Sequence, residues 1–216
     1  MRSGAKEPSV KLLLKIILPV VLYGVFRHGI LPLTGPLPNP VFYLLVGLCA
    51  VLLCGTLPEQ PQPARSVATA VRQIGKGSAF GAAVAVVFVV VFWLWFGHPS
   101  RFLAAAAGSG AQLAKNCLYF VFLVAPVEEL LFRRYYLFCF EALTRSPKWA
   151  VVLQALLFGL WHWAGPHSLL QVLSTAVLGL LYGAFLRWGR QTSLVSVVAA
   201  HGAHNLLLEL IRYCFC

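Results

Sequence analysis

Long apolar runs, broken at intervals by short polar or Pro- and Gly-bearing stretches, set the pattern of this chain. A helix rises about 1.5 Å per residue and a bilayer's hydrocarbon core is about 30 Å thick, so roughly 20 apolar residues suffice to cross it. Runs of that order lie near 10–27, 40–57, 78–97, 113–140, 148–164, 168–188 and 192–212. They predict an all-α, polytopic transmembrane bundle of about seven spans, within a range of six to eight.

Composition agrees. Hydrophobic residues make up 60% of the chain and charged residues 11%, and the mean hydropathy is +0.81; a water-soluble domain so composed would expose large apolar patches. The first run follows Arg2, Lys6, Lys11 and Lys15 as a signal peptide would, but "FRHGILPLTGPLPNP" after it lacks a small-residue cleavage site, so it is expected to stay as an anchor. The polar segment 58–77, with Pro58, Pro61 and Pro63 ahead of a short basic helical pattern, reads as a cytoplasmic loop lying on head groups. With no internal repeat, the chain reads as one membrane domain, with residues 1–112 free of recognisable motifs and residues 113–212 holding the candidate chemistry.

The net charge of +11 is spread singly between spans, without the dense basic block and interleaved aromatics that nucleic acid would require, so the bilayer's anionic head groups are the expected partner. With the N-terminus in the cytoplasm, eleven of the 17 Lys and Arg fall on the inner side and four on the outer, which predicts N-in, C-out. The six Cys form no C-x-x-C pair or secreted-type framework and read as small apolar fillers.

Against this background the polar residues inside the spans stand out, because an ionisable group at mid-membrane costs about 2.5–3.5 kcal/mol on insertion scales and needs a partner or a cavity. All six acidic residues are Glu, and two are adjacent in "LVAPVEELLFRRYYLFCF". Glu129 and Arg133 stand at i and i+4 in the favourable acid-first order and are expected to pair. Glu128, rotated by about 100° on the helix, has no such partner and is free to titrate. Arg134 reaches toward the head groups. In "FGLWHW", Phe158 and His162 share a face; in "HGAHN", His201 and Asn205 share another, beside Gly202 and Ala203 that let a neighbour approach. His204 could stand in for His201, on a face about 60° away. Glu141 and Glu209, near helix ends, and His28, His98 and His167, in turns, read as contacting water or head groups. Counting residues along each span brings Glu128, His162 and His201 to similar depths, so one shared site is allowed.

"EELLFR" (128–133), "FGLWH" (158–162) and "HGAHN" (201–205) resemble, in that order, the EExxxR, FxxxH and HxxxN/D motifs of the CPBP family of intramembrane proteases, which includes the Rce-type CAAX prenyl endopeptidases and bacterial Abi proteins. The resemblance covers about residues 113–212. It implies an intramembrane endopeptidase, with Glu128 as catalytic glutamate, Glu129 supporting it, His162 holding the nucleophilic water, and His201 with Asn205 stabilising the oxyanion; Arg133 and Phe158 would be structural support. The chemistry is coherent: hydrolysis needs a base for water, donors for the oxyanion and an acid for the leaving amine.

Glu128, His162 and His201 could also hold Zn²⁺. The chain lacks H-E-x-x-H, however, and Asn is a poor zinc ligand, so a metal-independent route with no cofactor is favoured. The expected substrate is the C-terminal tail of a lipidated or membrane-anchored protein. The short, loop-poor chain looks more like the bacterial and archaeal branches, myxosortase-type sorting peptidases among them, which implies a prokaryotic inner or plasma membrane. A proton-coupled transporter and a non-catalytic scaffold or immunity protein of the same fold are the alternatives; oligomeric state is left open.

Overall fold

Four serines mark where helices begin. Ser66, Ser109, Ser146 and Ser168 each accept, through the side-chain oxygen, from the backbone N–H three residues on, meeting one of the donors a helix N-terminus leaves open. After Ser146, Pro147 takes the first helical position, where its missing N–H matters least.

The structure, a computed structural model, describes residues 9–25, 39–57, 66–98, 108–164 and 168–215. Among these it holds seven helices: α1 (Ser9–Val25), α2 (Asn39–Gly55), α3 (Val67–Phe96), α4 (Gly110–Thr144), α5 (Pro147–Trp161), α6 (Leu169–Trp188) and α7 (Leu194–Phe215), and no strand. Helices α3, α4, α6 and α7 are long and apolar enough to cross a membrane, while α2 and α5 are shorter apolar helices. Pro58, Pro61, Pro63, His28 and His167, read from the sequence as loop or turn residues, lie outside the described residues.

One expectation is corrected here. Residues 67–77 do not form a loop; they are the first turns of the 30-residue α3. The reason is packing. Gly77 and Gly81 stand four apart, and a Cβ on either would lie about 2 Å from a backbone oxygen of α7: 2.0 Å from Ser196 O and 1.9 Å from Ala200 O. Small residues at this spacing let two backbones meet where lipid provides no hydrophobic drive for association. Upstream on the same helix, Ser193 Oγ donates to Gln73 Oε1 at 2.7 Å, both residues buried. The Arg and Lys of 67–77 sit around a helix whose inner face is already committed to α7.

Helix α4 is irregular in its middle. Pro126 supplies no N–H, and wide π turns over Phe120–Val124 and Leu130–Tyr136 bracket the regular turn Ala125–Glu129 that carries both carboxylates. Such bulges are rare and recur at functional sites. Two apolar clusters flank this region. One gathers Leu12 and Ile16 of α1, Ala50 of α2, Phe132, Tyr135 and Tyr136 of α4, and Phe158 of α5; Tyr135 also ties α1 to α4 by donating to Lys15 O at 2.9 Å. The other joins Tyr182 of α6 to Val197 and Ala200 of α7, with Phe80 of α3 against them. Arg133 of α4 lies between them, against Phe158 of one and Tyr182 of the other.

Candidate active site

Both glutamates are removed from solvent and lipid, Glu128 at 2% relative exposure and Glu129 at 0%. Their rotation around α4 sends them to different neighbours. Glu129 Oε2 lies 3.1 Å from Arg133 Nε, the expected i, i+4 pair, and its other oxygen, Oε1, accepts from His201 Nδ1–H on α7 at 2.7 Å. Glu128 turns to two helices at once. Its Oε1 accepts from Tyr43 Oη of α2 at 2.7 Å, and its Oε2 lies 3.8 Å from His201 Nε2.

Arg133 is buried as well, and aromatic faces complete its surroundings. Its guanidinium lies 4.3 Å from the Phe158 ring centre and 5.6 Å from that of Tyr182, so one ring from each apolar cluster touches the same cation. Phe158 is a hub: its ring meets His162 edge-on at 4.8 Å and His201 at 6.2 Å. Breaking such a buried pair by deleting one partner leaves an uncompensated charge, which costs about 3–5 kcal/mol.

His162 closes α5, near the end of its expected span: it lies in the 3₁₀ turn His162–Ala164, ahead of Gly165 and Pro166 in the sequence. Its Nδ1–H donates to Phe158 O at 2.8 Å, which leaves Nε2 as the nitrogen open to another partner. His162, His201 and Asn205 line one cavity of about 580 Å³ between α3, α5, α6 and α7. His201 thus belongs both to the carboxylate cluster and to the cavity wall.

The question of which α7 histidine meets the carboxylates is settled by geometry. His201 does, whereas His204 packs its ring between Phe88 at 5.8 Å and Tyr182 at 6.3 Å. Glu209 departs from expectation: instead of facing water or head groups it is buried at 4% exposure, accepting from Arg212 at 2.6 Å and from Asn116 Nδ2 at 3.2 Å. An acid inside a span is retained where it finds such partners. Glu141, one-third exposed, pairs with Arg187 between the ends of α4 and α6. His98 is exposed, and Arg134 is half-buried.

Sequence reasoning missed Tyr43 and Tyr182. Both look like apolar fillers of their helices, and nothing in their local spacing points to α4. His201 Nδ1 is held by Glu129 and His162 Nδ1 by a backbone oxygen, which leaves Nε2 of each ring as the nitrogen a ligand could meet; among the described residues no three His, Cys, Asp or Glu side chains are gathered as metal ligands.

No curated protein and no solved structure matches the chain. A family model described as Type II CAAX prenyl endopeptidase Rce1-like matches residues 110–207, from the start of α4 to within α7, and leaves α1, α2 and α3 outside. The three motifs lie inside that match, which spans a little under half of the chain, and over this stretch the chain is similar to the CAAX prenyl endopeptidases that the model describes.

Proposed function

We propose that this protein is a glutamate-dependent intramembrane endopeptidase that cleaves near the C-terminus of a lipidated or membrane-anchored protein. The observation that carries the reading is the approach of a buried, otherwise intrahelically unpaired carboxylate, Glu128 Oε2, to His201 Nε2 at 3.8 Å, on a histidine that also lines the 580 Å³ cavity.

In this reading Glu128 accepts the proton of a water that His162 helps hold, and the resulting hydroxide adds to the scissile carbonyl carbon. The developing oxyanion accepts from His201 Nε2–H and from the Asn205 amide. Glu128 then passes its proton to the leaving nitrogen as the C–N bond breaks, so that it ends as it began. Glu129 orients His201 through Nδ1.

The test is cleavage of C-terminal, membrane-anchored candidate substrates by purified protein, wild type against Glu128→Gln. Glu128→Gln keeps the shape and removes the base, so turnover falls by about 100-fold or more. Equal turnover by the two proteins would refute the reading.

A further inference from the structure

Helix α2 lies outside the family match and outside every motif read from the sequence, yet it touches the most chemically important part of α4. Its contacts form one stripe at i, i+4, i+7 and i+11. Tyr43 Oη donates to Glu128 Oε1 at 2.7 Å across a separation of 85 residues. At Gly47 a Cβ would stand 2.9 Å from Val127 Cγ2. Ala50 is fully buried, and Cys54 Sγ donates to Leu130 O at 3.5 Å. The stripe thus holds α4 at residues 127, 128 and 130, where the regular turn gives way to a π turn. The ring of Tyr43 is itself confined, meeting Phe42 at 5.6 Å and Tyr119 at 5.7 Å, both nearly perpendicular.

We infer that Tyr43 is a positioning residue for Glu128: it holds Oε1 and so assigns proton transfer to Oε2. This rests on the function proposed above. The two oxygens of a carboxylate are chemically equivalent until something distinguishes them, and rotation of the terminal group exchanges them freely. A hydrogen bond from a buried hydroxyl to one oxygen removes that freedom and leaves the other facing His201. Bonds to a charged acceptor in a buried site are among the stronger ones, so the preference is substantial. The motif-free half of the chain therefore supplies a part of the site that the matched half lacks.

The experiment compares full-length wild type, Tyr43→Phe, Glu128→Gln and Tyr213→Phe, the last removing a hydroxyl at the exposed end of α7. Steady-state cleavage gives kcat and KM, and infrared difference spectra follow the carboxylate stretch of Glu128, recognised as the band that Glu128→Gln removes. The inference expects Tyr43→Phe to lower kcat by about tenfold or more, with KM within about twofold and the Glu128 band displaced. Tyr213→Phe is expected to match wild type in both. An undisplaced band, with kcat either unchanged or lowered only alongside a lowered melting temperature, would overturn the role of Tyr43. That failure is distinct from failure of the hydrolase reading, which shows as full activity in Glu128→Gln.

Discussion

A single residue, His201, decides how the buried charges are arranged, because its two ring nitrogens face the two adjacent glutamates. Removing Arg133 tests the balance. Arg133→Met leaves Glu129 buried against His201 alone, and thermal unfolding is expected to show a loss of about 3–5 kcal/mol, much of it recovered in the double substitution Arg133→Met with Glu129→Gln. His204 provides the contrast. It contacts aromatic rings rather than carboxylates, so His204→Phe is expected to keep turnover within about tenfold of wild type, whereas His201→Phe loses it. Purified-enzyme kinetics check both. The Glu129–Arg133 pair was legible because i, i+4 spacing depends only on local helix geometry. The Tyr43–Glu128 bond was not, since a tyrosine in an apolar helix carries no sign of a partner 85 residues away.

At the scale of elements, the site depends on how closely α7 is held. Gly81 is the tightest point, and adding a Cβ there would meet Ala200 O at 1.9 Å, one residue before His201. Gly81→Ala is expected to destabilise by about 1–3 kcal/mol through overpacking, read as a lower melting temperature in detergent, with loss of cleavage as His201 is displaced. Gly75 is the control: nothing lies within 4 Å of its Cβ position, so Gly75→Ala is expected to be neutral or slightly stabilising. Hydropathy alone located the helices, since each apolar run must satisfy its own backbone. It misplaced the start of α3, because a basic, glycine-bearing stretch resembles a loop until the helix it packs against is known. It placed His162 close to the end of its span, as the structure does, with Gly165 and Pro166 beyond it as a stop signal.

For the whole molecule, the proposed chemistry draws on several helices at once: α4 would supply the acids, α7 the imidazole and amide, α5 the aromatic hub, and α2 a hydroxyl. The depth-matching of Glu128 and His201 could be anticipated by counting residues along spans, but the order in which the helices pack could not, because interhelical contacts among small residues leave little trace in hydropathy. The distribution of Lys and Arg predicts N-in, C-out, so a reporter that is active only outside the cytoplasm is expected to work when fused after Cys216 and to fail when fused before Met1. The central claim is that Glu128 carries the hydrolysis, and cleavage of a C-terminally anchored substrate by wild type and by Glu128→Gln in the same bilayer measures it most directly. The account predicts product from wild type and about 100-fold less, or none, from a variant that folds and melts as wild type does; product formed equally fast by both would contradict it.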